Sequence, residues 1–481
     1  MKRIYLIAAA ILFFTSRCND EFLVRAPQNQ ITTESFWKTD QDAILAVNSI
    51  YDALQTDMGY RLGGLMFGDI AGDDMTCFDT GWFVTHDNFT VNASDPQITR
   101  AWRAWWAGVA RANAVLDKVP AIDMDETLKE RLLNEARFLR AVSYFNIVTI
   151  WGDAPLMTHE MDNAEIFTVT RQPQAELWAQ IEQDFLDAEA LPVAQPGEEG
   201  RATRGAAKAF LSRVYLYQGK FQQAAAKAKE VIDMNVYALH DEYIKNFKTA
   251  FENGIESVFE VQFVAGTGGW GNNEGNWVPS YSGPTGSSYV PSGAWGIVVP
   301  EAASKNIYET GDKRRAVNLF EAGSMYDDVP YDPKWSQTGI SLAKYIVGDP
   351  PVSTEGMVDA ERNMPIIRYA EVLLIYAEAL NETGQTAAAE PYLNKVRKRA
   401  GLGELSGLTQ ETFRSAIMQE RRVEFFGEGQ RFFDLRRWGK VKEYVHDIAG
   451  KVNYAEPKNL YFPIPQSERD LNPGLQQNTG Y

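Results

Sequence analysis

Two stretches of this chain, far apart in sequence, carry the same helical signature. Counting from Gly219, residues Phe221, Ala224, Ala228 and Val231 fall 2, 5, 9 and 12 positions on; counting from Gly384, residues Thr386, Ala389, Leu393 and Val396 fall at the same offsets. Each glycine interrupts a longer run of helical period, 203–234 in the first case and 366–400 in the second. Glycine ends a helix readily because it takes left-handed backbone without a Cβ clash, and small alanines let the returning helix approach closely. A pair of short amphipathic helices cannot cover its own apolar faces, so it must stack on further helices. Two unrelated helical hairpins would explain each stretch singly; the shared offsets favour a repeated unit.

That unit resembles the helix–turn–helix of a tetratricopeptide repeat, whose period is about 34 residues. The distance between the copies argues against an uninterrupted solenoid. Other segments read as amphipathic helix too. Over 41–54 the apolar Ile44, Val47, Tyr51 and Leu54 recur at three- and four-residue steps. Over 128–150 Leu132, Ala136, Leu139, Tyr144 and Ile147 do the same, and the run stops at Gly152 with Pro155 beyond. Residues 257–264 (SVFEVQFV) alternate and are β-branched, which predicts a short strand. The expected fold class is all-α, built of tetratricopeptide-like pairs, with minor β.

The chain has 481 residues, and a net charge of −17 argues against a nucleic-acid partner, which would need a basic face. Residues 1–17 read as a secretory leader: Lys2 and Arg3 precede an apolar stretch over 4–14 that is too short to span a bilayer. Cys18 directly after it resembles a bacterial lipobox cysteine, which is diacylated and becomes the new N-terminus. Arg17 departs from the small residues usual at that position, and an ordinary signal peptide cut elsewhere is the alternative. With Cys18 acylated, Cys77 is a lone thiol, because the chain has only these two cysteines. Two acyl chains hold a protein at a membrane durably. The mature chain divides into an N-terminal helical region, 18–235, and a C-terminal region, 255–481, merged in one globular body.

Between the helix pairs lies a segment of another kind. Residues 265–296 contain nine glycines, the aromatic side chains Trp270, Trp277, Tyr281, Tyr289 and Trp295, and Glu274 as the only charge. Such a stretch is not expected to form a helix, and an irregular loop of this length is usually functional. An earlier loop, GDIAGDDMTCFDTGW, combines Asp69, Asp73, Asp74 and Asp79 with Trp82.

Seven blocks, in order along the chain, now resemble the SusD/RagB family of Bacteroidetes outer-membrane lipoproteins. They are CNDEFL at 18–23, NEARFLRAVSYF at 134–145 with WGDAPL at 151–156, and RATRGAAKAFLSRVYLYQGK at 201–220. IRYAEVLLIYAEALNE at 367–382, LNKVRKRAGL at 393–402, ERRVEFFGEGQRFFDLRRWG at 420–439 and FPIPQSERDLNPGLQQNTGY at 462–481 complete the set. The resemblance implies tetratricopeptide-like helices carrying an irregular ligand-binding half. It implies a surface-exposed, lipid-anchored protein that delivers oligosaccharide or peptide to a SusC-like TonB-dependent transporter. It also implies that the ligand platform is drawn from the two loop regions.

Flat Trp and Tyr rings can cover the C–H face of a sugar while polar neighbours bond its hydroxyls. The candidate ligand-binding residues are therefore Trp82, Asp73, Asp74, Trp270, Trp277, Tyr281, Tyr289 and Trp295, with about half of the loop rings expected to be packing. The triplet Trp102, Trp105 and Trp106 lies at helical spacing and reads as core or transporter-facing. The acidic cluster could bond a hydroxyl-rich ligand or hold Ca²⁺, but it lacks EF-hand spacing, and most such clusters are solvated loops.

No catalytic set is expected. On a helix begun by Thr409, Phe413, Ile417, Glu420 and Glu424 share one face; a glycosidase would use the two carboxylates as acid and base. A buried arginine–carboxylate lattice with Arg431, Arg436 and Arg437 is the preferred reading, since i,i+4 carboxylates suit packing better than flanking a sugar bond. A second hydrolase reading pairs Asp73 and Asp74 with Glu260 or Glu274. GTGGWG at 266–271 fits a dinucleotide pattern but lacks the following helix and the acidic residue. His86, His159, His240 and His446 have no metal-ligand spacing. No cofactor and no resident metal are expected, and the protein reads as a glycan binder, with a peptide binder as the alternative.

Overall fold

The computed structural model of the chain describes residues 36–79, 81–265, 274–290, 293–346 and 360–481. The leader, Cys18, Trp270 and the GTGGWG run lie outside the described residues. Helices α1 (Asp40–Leu54), α2 (Pro96–Lys118), α3 (Glu126–Trp151), α4 (Gln174–Ala188), α5 (Arg204–Tyr217) and α6 (Phe221–Asp233) form the first half; α7 (Tyr369–Glu382), α8 (Thr386–Arg399), α9 (Gln410–Glu424) and α10 (Arg431–Arg437) form the second. Their starts are set by side chains that accept orphan N–H groups: Thr39 for α1, Asp95 for α2, Asp125 for α3, Thr203 for α5 and Thr409 for α9.

The two repeated units are helical pairs as the spacing predicts. Gly219 and Gly384 take φ of 69° and 77°, the left-handed backbone that reverses the chain. Ala224, Ala228 and Val231 on α6, and Ala389, Leu393 and Val396 on α8, are the buried apolar residues of the returning helices. Consecutive helices pack on one another from α1 to α6, and α6 then packs directly on α7, which packs on α8. The stack broken in sequence is therefore continuous in space.

Two expectations are corrected, and the alternative left open for the tryptophan triplet is resolved. The 366–400 run begins as strand, not helix: Met364–Arg368 pairs antiparallel with Ser257–Val261, the shortened form of the predicted 257–264 strand. Pro365 and the β-branched Ile366 and Ile367 suit that extended start. The aromatic loop contains one helical turn, Val278–Ser282, which Pro279 opens. Trp102, Trp105 and Trp106 are all buried, with Trp102 edge-on to Trp151 at 5.1 Å, so they are core. One apolar cluster runs from Ala43 to Leu475 through both halves.

Candidate functional site

The two irregular loops are brought together by a short antiparallel pair. Strand β1 (Met75–Cys77), inside the Asp-rich loop, registers Met75 on Pro300, Thr76 on Val299 and Cys77 on Val298 of strand β2 (Val298–Pro300). The pairing continues as the Phe78 N–H donates to the Ile297 carbonyl at 2.9 Å. The Trp295 and Ile297 N–H groups donate in turn to the carbonyls of Ser280 and Tyr281, each at 2.8 Å. A segment near residue 80 and one near residue 295 thus share one face, although more than half the helical scaffold separates them in sequence.

The rings on this face form a ladder from core to solvent. Trp277, 5% exposed, stacks on Tyr281 at 6.2 Å with planes 3° apart, and the buried Arg61 guanidinium lies 4.9 Å from the Trp277 ring centre. Tyr281 meets Trp295 edge-on at 4.8 Å and Phe83 at 5.8 Å; burial pushes its phenol up to about 12. At the outer end Trp82, which meets Phe83 at 6.4 Å, is 38% exposed and Trp295 is half-buried; Phe78, 40% exposed, lies on the same loop four residues before Trp82. The Arg100 guanidinium sits 5.2 Å from the Trp82 ring centre and pairs with Asp57. The arrangement can present apolar ring surface beside one donor and one acceptor group.

Other candidates are placed elsewhere. Tyr289, 1% exposed, packs among Phe320, Tyr326, Tyr331 and Trp335 in a separate small cluster, and its hydroxyl donates to the Val329 carbonyl at 2.7 Å. Asp73 and Asp74 are buried against arginines, not open to a solute. Arg431 Nε donates to Asp73 at 2.6 Å, and Arg422 reaches Asp73 at 2.8 Å and Asp74 at 2.5 Å. Burial pushes the Asp73 carboxyl up, but Arg431 and Arg422 outweigh it and hold it below the usual range; burial and the neighbouring Asp73 raise Asp74. Asp69 accepts the Gly429 N–H at 2.7 Å. Asp79, the fourth member, accepts N–H groups of the aromatic arm itself. Among the described residues no three His, Cys, Asp or Glu side chains converge as a metal would need.

Glu420 and Glu424 lie in a buried lattice, but with partners other than those the sequence pointed to. Glu420 takes Arg314 at 2.5 Å and Arg397 at 3.3 Å; Glu424 takes Arg399 at 2.5 Å, Arg368 at 2.9 Å and Arg314 at 3.1 Å. Burial alone would raise Glu424, yet Arg399, Arg368 and Arg314 hold its carboxyl well below the carboxylate range. Arg431 pairs with Asp73, Arg437 with Glu378 and Asp434, and Arg436 donates to the carbonyls of Thr149 and Leu460. Glu260 and Glu274 line a separate groove of about 480 Å³ with Asp52 and Gln262. Glu260 there accepts the Asn253 N–H and the Asn363 amide. Asp73 and Asp74 are not among the residues lining that groove; their partners are Arg422 and Arg431.

Phe78, Arg100 and Asp57 were not singled out from the sequence. Phe78 lies within the Asp-rich loop and could have been noticed there; Arg100 and Asp57 stand in helical or turn segments that give no sign of facing Trp82.

A helical-repeat scaffold bearing one loop-built aromatic face defines a class of binding protein. The chain belongs to the SusD family: residues 316–481 match that family, and residues 21–216 match the family described as starch-binding associating with outer membrane. It is 28% identical over its whole length, and the whole length of the relative, to the SusD-like protein P2 of Formosa agariphila. Its fold matches a laminarin binding SusD-like protein with TM-score 0.83 at 30% identity, covering 92% of this chain and 100% of that one. It also matches surface glycan-binding protein A of Bacteroides thetaiotaomicron, solved in complex with laminarihexaose, with TM-score 0.79 at 25% identity, covering 92% of this chain and 100% of that one.

Proposed function

We propose that this protein captures a glycan at the cell surface on the face formed by Trp82, Trp295 and Phe78, and passes it uncleaved to a SusC-like TonB-dependent transporter. The observation that carries this reading is the convergence of two distant loops into one partly exposed aromatic face with Arg100 and Asp57 beside it. Ring faces match sugar C–H faces, and the charged pair can accept from and donate to hydroxyls. Cys18, placed after the apolar leader, is the lipid anchor, which puts the protein on the outer membrane with its face toward the medium. One structural relative binds laminarin and another was solved with laminarihexaose, which makes β-glucan oligosaccharides the first ligands to try.

Binding without cleavage is supported by the fate of the carboxylates. Glu420, Glu424, Asp73 and Asp74, the carboxylates a hydrolase would draw on, all bond arginines, so none of these four is a free acid or base. Calorimetric titration of the purified protein against laminarin- and starch-derived oligosaccharides and a set of cationic peptides tests the proposal, with chromatography of the glycans afterwards. Saturable glycan binding with no shortened product is expected. Binding of peptides alone, which the acidic net charge would suit, replaces the glycan reading; released products replace the binding-protein reading. Cys18→Ala is expected to abolish acyl labelling, and continued labelling contradicts the anchor.

A further inference from the structure

We propose that Asp79 is the positioning residue of the aromatic face: its carboxylate fixes the turn that aims Trp82, and it affects a ligand only through that ring. The inference rests on the glycan reading for its ligand, but its structural half stands on the turn itself. Asp79 Oδ2 accepts the Trp82 N–H at 2.7 Å and the Phe83 N–H at 3.0 Å, while Oδ1 accepts the Val84 N–H at 3.0 Å. One side chain thus satisfies three successive backbone donors where the chain enters the helical turn Val84–Asp87, donors that would otherwise lack partners.

Among the described residues little else holds this arm. Phe78 is tied to Ile297 at one end, and Phe83 is buried at the other. Between them Gly81 is exposed, and a Cβ built on it would meet nothing within 4 Å. Arg100 touches the Trp82 ring but is itself substantially exposed and leans on Asp57. The direction of Trp82 is therefore set by its own backbone, and that backbone is set by Asp79. The other three members of the acidic cluster face Gly429 or the Arg422–Arg431 pair, so this function belongs to Asp79 alone among the four.

The test is a double-mutant cycle with two readouts. Asp79→Ala, Trp82→Ala and the combined variant are titrated with laminarihexaose, and acrylamide quenching of tryptophan fluorescence is measured for all three and the wild type. Asp79→Ala is expected to weaken binding by roughly tenfold, the scale of losing a capping side chain. In the Trp82→Ala background the same change is expected to cost less than about twofold, because its route to the ligand is gone. Quenching is expected to rise in Asp79→Ala and not to rise further in the combined variant. Asp79→Asn, which keeps one acceptor oxygen, is expected to recover part of both effects. Equal losses from Asp79→Ala in both backgrounds overturn the proposal, as does unchanged quenching. If the wild type does not bind laminarihexaose, that failure falls on the ligand reading, and the quenching arm alone decides the positioning role.

Discussion

The lattice around Glu424 and the arm around Trp82 both concentrate groups that could do chemistry, and they are built on opposite terms. In the lattice Arg314, Arg368, Arg397 and Arg399 surround Glu420, Glu424 and Glu256, and all seven side chains are buried. Charges withdrawn from water this far persist only when each is paired and hydrogen-bonded. In the arm the rings are paired on their inner side only: Tyr281 is covered by Trp277 and Trp295, while Trp82 and Phe78 keep apolar surface toward solvent. Exposed rings on a tied loop lose little on folding and have contact area left for a ligand. Density of chemical groups is thus no guide to function here; what separates scaffold from site is whether the groups satisfy each other.

The comparison breaks most visibly if the lattice is opened. Glu424→Ala leaves three arginines short of their shared carboxylate and is expected to cost ~3–5 kcal/mol in denaturant unfolding, with glycan affinity of the folded protein unchanged. The same carboxyl carries a pH signature. Its pKa is depressed in the folded state, so its contribution is complete above the unfolded value of about 4.3 and is lost as pH falls below it. The lattice is therefore expected to lose stability in acid, and less steeply in Glu424→Gln.

Tyr289→Ala is the next largest. Its ring is enclosed by four aromatic side chains, so truncation is expected to lower stability by ~3 kcal/mol and to leave glycan binding alone; a selective loss of binding would move Tyr289 back to the ligand face. Trp82→Ala is the mirror image, expected to weaken glycan binding by ~1–3 kcal/mol while stability stays within about 0.5 kcal/mol. The smallest effect sharpens the electrostatic side. Glu252 is pushed up to about 7, first by burial and further by Glu260, against the pull of the Asn363 N–H. A carboxyl raised in this way favours folding most below its unfolded pKa and opposes it as pH rises through 7. Glu252→Gln is expected to match the wild type near pH 4 and to exceed its stability at pH 8 by no more than about 1 kcal/mol, read by thermal unfolding at the two pH values.

Much of the scaffold was legible because helical spacing and caps are local. The offsets after Gly219 and Gly384, the Thr409 cap and the buried face of α3 all follow from residues within a few turns of one another. What could not be read was non-local. Nothing in 420–424 says that its arginines come from 314, 368, 397 and 399, as against the neighbouring 431, 436 and 437. The direct packing of α6 on α7 is hidden for the same reason. The loops were partly legible: composition marked both, but only the fold links Trp82 to Trp295 through Phe83 and Tyr281 and sends Tyr289 into a separate cluster. The Asp-rich run read as one feature, and in the fold its members divide among a glycine N–H, two arginines and the Trp82 turn.

The most direct measurement is a calorimetric titration of laminarihexaose into the wild type and into a variant carrying Trp82→Ala with Trp295→Ala, both checked for an unchanged thermal midpoint. A glycan-capturing face predicts saturable binding by the wild type and binding weakened at least tenfold in the variant, roughly 1.4 kcal/mol, with the hexaose recovered intact from both. Equal affinity in the two proteins, or recovery of shortened sugar from the wild type, would contradict it.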